Sequence, residues 1–235
     1  MSVLLLRLAA PLQSWGVASR FARRETQQYP SKSGILGLIA AAQGRRRTDP
    51  IEEALYHLSF GVRVDQPGRL VRDFQVALSI DKKEQFPLSQ RYYLSDAAFL
   101  AAISGDRTLL QGIRDALLRP DFPLYLGRRS CPVTEPLVLG EPIDDSLEHA
   151  LRTAPWQAAK WYQATQGKQL HLPIFRDVLD TDPSDRVYDT VRDIPLSFDP
   201  ARREYGWRRV VEDRAEIVNP AGKEVHDPLS ALGGA

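Results

Sequence analysis

Cysteine is almost absent from this chain: Cys131 is the only one in 235 residues. A lone thiol excludes an internal disulfide framework and suits a reducing cytoplasm. Histidine is scarce too, with four residues scattered along the sequence. Beside one cysteine they do not suggest a structural zinc site, and neither a metal nor another cofactor is expected. Long apolar runs are missing, so no stretch reads as a membrane-spanning helix and no membrane partner is expected. The apolar residues 3–8 are interrupted by Arg7 and lack a basic leader, so they read as a strand and not a signal peptide. A surplus of charge is also missing, since the formal net charge is +1. Hydrophobic residues at 43% and charged residues at 26% are ordinary for a globular protein with a real core.

The near-neutral total conceals a local imbalance. Arg20, Arg23, Arg24, Lys32, Arg45, Arg46 and Arg47 are opposed between residues 20 and 47 by Glu25 alone. A basic patch on a neutral protein suits an anionic polymer held on one face; a pair of solvated loops is the alternative. Within this stretch, Tyr29-Pro30-Ser31-Lys32-Ser33-Gly34 leads into an apolar run at residues 35–42, followed by Gly44. Serine before and glycine after predict a capped helix. Its free N–H groups would face a nearby phosphate, with Lys32 and Ser33 reinforcing them. Ordinary serine capping accounts for the same residues. The glycine frame of a Walker loop is absent, which counts against nucleotide hydrolysis.

A second stretch carries more chemistry: Tyr125-Leu126-Gly127-Arg128-Arg129-Ser130-Cys131-Pro132. Gly127 lets a backbone approach closely because no Cβ blocks it. Arg128 and Arg129 offer planar, permanently charged forks that suit phosphate oxygens, and Ser130 adds a hydroxyl. This loop is expected to hold a phosphate backbone, unless it is a tight turn with two solvated arginines.

Periodicity predicts the order strand, helix, strand, strand, helix, strand. Residues 2–10 form a buried first strand that Pro11 ends, with Gln13, Trp15 and Gly16 as its polar and aromatic exit. A short helix follows Asp49-Pro50. Residues 60–65 and 70–80 alternate around a turn at 65–68 and are expected to pair as a hairpin. Residues 91–103 form another extended run, although Ala97, Ala98, Ala101 and Ala102 leave a helix open for 95–103. Together these segments suggest a projecting hairpin with its tip near Lys82 and Lys83. Leu109, Leu110, Ile113, Ala116 and Leu117 mark an amphipathic helix, and residues 136–139 a further strand. This is the split β-α-β order of ferredoxin-like and RRM-like α+β folds. Such sheets often carry RNA, yet the RNP aromatic signature is missing, so binding would be unlike that of an ordinary RRM. Beyond residue 141, a helix at 146–152, an extended run at 170–175 and an acidic turn at 180–185 precede returning strands. Arg202, Arg203, Arg208 and Arg209 there could face RNA, or pair with Glu204, Glu212 and Asp213. Residues 1–225 are expected to form a single RRM-like domain and 226–235 a disordered tail.

Three stretches, Leu6-Arg7-Leu8-Ala9-Ala10-Pro11-Leu12-Gln13-Ser14-Trp15-Gly16, Pro30-Ser31-Lys32-Ser33-Gly34-Ile35-Leu36-Gly37-Leu38 and the Gly127 loop, together resemble one family. It is the CasD-type subunit of Cascade, the type I-E CRISPR antiviral surveillance complex, within the RAMP superfamily. The resemblance implies an RRM-like palm at 1–75 and 97–225 with a β-hairpin thumb at 76–96. It implies capture of the 5′ handle of a crRNA, and contact with the Cascade backbone subunit and the large subunit. Target DNA would be met indirectly, through the complex, and RNA processing left to another subunit. Expected phosphate contacts are Lys32, Ser33, Arg128 and Arg129, with help from Arg20, Arg23 or Arg24. Trp15, Tyr29 and Tyr92 are the expected stacking residues. Gln13, Lys82, Lys83, Arg91, Gly127 and Ser130 complete the expected RNA-binding set. The alternative is a metal-independent endoribonuclease of the type I-C kind. It would need a base and an acid from His57, His149, His171 or His226, or from Lys82, Lys83, Tyr92 and Tyr93.

Overall fold

The structure is a computed structural model and describes residues 1–16, 23–51, 53–81 and 84–223. Arg20, Lys82, Lys83, His226 and the expected tail at 226–235 lie outside the described residues.

Crowded leucines make β1 (Ser2–Ala9) a strand buried on both faces. Leu4, Leu6 and Leu8 enter one hydrophobic cluster and Val3 the other. Past Pro11 the chain makes the short strands β2 (Leu12–Gln13) and β3 (Arg23–Arg24). Helix α1 (Lys32–Ala42) starts where Ser31 caps the N–H of Gly34, and α2 (Glu53–Tyr56) is a single turn. Four strands follow: β4 (Ser59–Gln66), β5 (Arg69–Gln75), β6 (Ser89–Ser95) and β7 (Ala98–Gly105). Asp106 caps α3 (Arg107–Leu118), which buries Leu110, Ile113 and Leu117. The remainder comprises β8 (Ile143–Asp144), α4 (Leu147–Thr153), α5 (Lys160–Gln163), β9 (Gln169–Asp177), β10 (Asp189–Ser197) and β11 (Glu204–Val218).

The result is a mixed α+β architecture around a large antiparallel sheet. Seven strands stand in the order β10-β11-β9-β4-β7-β1-β8. Helices α1 and α3 cover one face and α4 the other, where Val3, Leu100, Ala102, Ile174 and Ala215 are buried beneath it. The middle of this sheet is thus closed on both sides, and no open RRM-like surface exists there for RNA. The expected strand at 136–139 is a single bridge, Leu6 to Val138, with bonds from Arg7 N to Leu137 O and from Leu139 N to Leu5 O. It continues into β8 along the same edge of β1.

A second sheet is centred on β6, with β5 on one side and β2 and β3 on the other. This corrects one expected pairing. Residues 60–65 and 70–80 do not pair with each other: β4 pairs with β7 and β9, and β5 pairs with β6. The turn before β5 exists, with Gly68 at φ 73°, but it carries the chain from one sheet to the other. Residues 95–103 are strand and not helix. Ala101 and Ala102 are fully buried in β7, between β1 and β4, where small side chains let helices close on both faces. Packing here overrides the helix preference of alanine. The run 91–103 breaks at Asp96, whose φ is 54°. Three crossings between the sheets, at Pro11, Gly68 and Asp96, therefore lie side by side. Asp96 N bonds Pro11 O at 3.1 Å, and Gln66 Nε2 bonds Asp96 O at 2.5 Å.

Buried charge fixes the remaining layers. Arg63 and Asp65 pair inside the protein at 2.6 Å, and Arg63 also donates to the carbonyls of Leu151, Ala154 and Pro155 at the end of α4. Neighbouring residues of β9 point to opposite faces. Arg176 takes Asp182 with two bonds, of 2.6 and 2.7 Å, and Asp213 at 2.9 Å. Asp177 takes Lys32 at 3.0 Å and Arg208 at 2.7 Å.

Candidate nucleic-acid interface

The expected site residues separate into those that build the junction between the sheets and those that face outward. Gln13 is buried, and its amide donates to Leu8 O at 3.0 Å and Ala97 O at 2.7 Å. Trp15 is buried too. Its indole N–H meets Gln13 Oε1 at 3.1 Å, and its ring lies where a Cβ on Gly34 would come within 2.8 Å. Neither is free to touch a base. Tyr29 stacks on Phe175 with ring centroids 4.1 Å apart, so one ring face is taken, and burial pushes its phenol above the ordinary value.

The start of α1 is occupied from within. Asp193 of β10 accepts the Lys32 backbone N–H at 2.8 Å, and the Lys32 ammonium is buried against Asp177. Ser33 is buried as well. A carboxylate already meets the positive end of the helix, so the expected phosphate contacts from Lys32 and Ser33 are not available in this arrangement. Arg208 completes the cluster, bonding Asp193 at 2.6 Å and not the expected Glu204, Glu212 or Asp213.

The glycine loop follows the same logic. Gly127 has φ 92°, and a Cβ there would fall 1.7 Å from Ser14 O. The backbone it admits is that of its own chain. Ser14 N donates to Leu126 O at 3.1 Å, which seats the loop against the start of the second sheet. Arg128 is a clamp. It donates to Tyr92 O at 3.1 Å, Arg24 O at 2.7 Å and Glu25 O at 3.3 Å, and its guanidinium lies 4.9 Å from the Tyr93 ring centre. Ser130 donates to the Tyr93 hydroxyl at 3.2 Å. Arg129 alone projects outward, exposed and with no ion-pair partner among the described residues.

What faces outward is a strip on the second sheet. Register places Arg72 opposite Tyr92, and Gln90 opposite both Phe74 and Arg23. Arg23 stacks over Tyr92 at 5.5 Å and Arg72 over Phe74 at 4.7 Å. Arg23 also pairs with Glu25 at 2.8 Å, in the open. Arg91 sits opposite Asp73 on the other face, and its Nε is buried without a hydrogen bond. Sequence reasoning missed Arg72 and Phe74. Their spacing of two with Leu70 was a signal, because it puts all three on one side of a strand. Past β5 and β6 the arm continues irregularly through a bridge from Leu78 to Gln85. Along it Leu70, Phe74, Val76, Leu78, Ile80, Phe86 and Leu88 are exposed.

Among the described residues, the histidines considered for cleavage do not converge. His57 follows α2, His149 is held by Asp145 at 2.8 Å on α4, and His171 lies exposed on β9. None stands on the second sheet or the glycine loop. Tyr93 is buried beneath Arg128. Among the described residues no group of three His, Cys, Asp or Glu side chains is arranged to hold a metal ion. No helix among them is long and apolar enough to cross a membrane.

Known proteins share this architecture. The chain is 35% identical over 158 residues to the CRISPR system Cascade subunit CasD of Escherichia coli (strain K12), covering 59% of this chain and 70% of that one. It superposes on a chain of a CRISPR RNA-guided surveillance complex with a TM-score of 0.75 at 31% identity, covering 98% of this chain and 97% of the other. A solved Cas protein matches with a TM-score of 0.68 at 34% identity, over 96% of this chain and 100% of that one. A family model, CRISPR-associated protein (Cas_Cas5), matches residues 3–211. The chain belongs to the Cas5 family of CRISPR-associated proteins.

Proposed function

We propose that this chain is a subunit of a Cascade-type CRISPR surveillance complex, where it holds the 5′ handle of the crRNA and helps to assemble the particle. The seven-stranded sheet with α1 and α3 is the palm. Its strands β4, β7, β1 and β8, with the two helices between them, carry the split β-α-β connectivity of an RRM-like fold. The arm of β5 and β6 is the thumb, and its base belongs to the RNA surface. The observation that carries this reading is the strip of Arg23, Tyr92, Arg72 and Phe74 beside the outward Arg129. Guanidinium and aromatic planes on one exposed face accept unstacked bases, and a free arginine meets phosphate. The exposed apolar residues along the arm fit the flank of a neighbouring protein subunit.

The subunit binds RNA without cutting it. Supporting this, no histidine among the described residues stands on the second sheet, and Tyr93 is enclosed. The test is a titration of handle RNA at several salt concentrations. Arg129→Ala together with Arg72→Ala should weaken binding and lower the single-strand salt slope by about 0.7 for each phosphate that the variant no longer neutralises. An unchanged slope refutes the assignment. Scission of repeat RNA by the purified protein, abolished by Tyr92→Phe, would instead establish the nuclease reading.

A further inference from the structure

The second face of the large sheet is covered by α4 over its middle but bare at its β10–β11 end. Along β11, side chains alternate. Arg208 turns inward to Asp177 and Asp193, whereas Trp207 and Arg209 turn to the opposite face. Trp207 is 64% exposed within β11, and Tyr188, just before β10, is 46% exposed. Exposed aromatics of this size on a regular sheet are unusual for a surface without a partner. Each ring carries an arginine: Arg192 lies 6.0 Å from the Trp207 centre and Arg209 5.3 Å from that of Tyr188. Thr190 stands opposite Arg209 in the register. On this face of β11 the first carboxylate is Asp213, and it is buried and held by Arg152, Arg176 and Arg186.

We propose that this face binds unpaired nucleotides of a single-stranded nucleic acid, at a site separate from the handle-binding strip. β10 is the outer strand of the sheet, on the far side of β11 and β9 from β4, and it takes no part in the second sheet. Two aromatic rings and two guanidinium planes exposed on one face supply the sequence-tolerant stacking that single strands need. Every charged side chain that β10 and β11 leave exposed there is an arginine, so the complementary occupant is anionic. Asp180 and Asp185 are exposed in the turn that borders this face, but on this face of the strands themselves the exposed charge is positive. That favours a phosphate chain over a protein surface, whose charges are ordinarily mixed. Neutral Thr190 is able to hydrogen-bond phosphate or sugar between the two arginines.

The experiment uses the full chain carrying Arg129→Ala, so that the handle-binding strip is weakened and the second site dominates. Binding of a short labelled oligo(dT) is followed by fluorescence anisotropy at several salt concentrations. Trp207→Ala should weaken binding about tenfold, within the range stacking provides. Arg192→Gln with Arg209→Gln should lower the salt slope by about 1.4, two single-strand phosphate contacts. All three side chains lie at the surface, so circular dichroism and Tm should be unchanged. Handle RNA binding, measured on the chain with Arg129 intact, should survive both changes. That separates a failure here from a failure of the handle assignment. Unchanged oligo(dT) affinity and slope would overturn the proposal. So would normal oligo(dT) binding by variants that no longer join the other subunits, since the face would then be a protein interface.

Discussion

Two adjacent arginines show how differently one motif can be used. Arg128 donates three bonds to backbone carbonyls of the second sheet, whereas Arg129 reaches solvent. Arg128→Ala should therefore destabilise the protein by about 1–3 kcal/mol, through the removal of charged hydrogen bonds in a half-buried setting, and Arg129→Ala by almost nothing. Thermal unfolding of the two variants checks this, and equal Tm losses would refute the division of roles. The sequence marks both residues as important but cannot divide them. The divider is Ser14 O, more than a hundred residues away, which requires glycine at 127 and so fixes which arginine turns inward. The roles of Lys32 and Ser33 are hidden in the sequence for a related reason. The carboxylate partners of Lys32 come from β9 and β10, where alternation alone does not reveal which acids turn inward. Asp182 offers a test by pH. The Arg176 guanidinium holds its carboxyl below the usual range. A depressed carboxylate stabilises the fold above its unfolded value of about 3.9 and loses that contribution as pH falls through the folded value. Asp182→Asn should lower Tm near neutrality, and the gap from the native protein should narrow below about pH 4. A gap that stays constant in acid would mean the ion pair is not what stabilises.

Among the elements, α1, α3, α4, β1 and the C-terminal strands were legible, because caps and burial periods are local signals. Serine, aspartate and serine stand at the three helix starts where capping chemistry demands them. Pairing was less legible. Residues 60–65 and 70–80 look like the two halves of a hairpin because a turn separates them. Only the meeting of Gln66, Asp96 and Pro11 reveals that the turn changes sheets. The arm itself was legible as a hairpin, but its pairing starts at Arg69 and not at residue 76. Its apolar surface bears on assembly. Replacing residues 76–88 by a short Gly-Ser turn should leave Tm and handle RNA binding within experimental scatter, since those side chains are largely outside the core. Incorporation into the complete particle should fall severalfold, as read by co-purification with the other subunits. Undiminished incorporation would show that the arm has no part in assembly.

At the scale of the molecule, a mixed α+β fold was readable from a single sequence, and the covering of both faces of its large antiparallel sheet was not. α4 closes the second face through Arg63 and Arg176, two buried arginines whose sequence surroundings resemble those of surface residues. Trp207 and Arg209 lie outside this cover. The crossings at Pro11, Gly68 and Asp96 carry a further consequence. Three of the four described passages of the chain between the two sheets are gathered at one place, where the amides of Gln13 and Gln66 bind them together; the fourth runs from β3 to α1. The β5–β6 arm itself is joined along the chain to the large sheet at Gly68 and Asp96. Insertions, deletions or wholesale exchange of the arm can then accumulate without disturbing a single pairing of the large sheet. The fold is thus suited to a lineage in which the core stays fixed while the arm is refitted to each new neighbour.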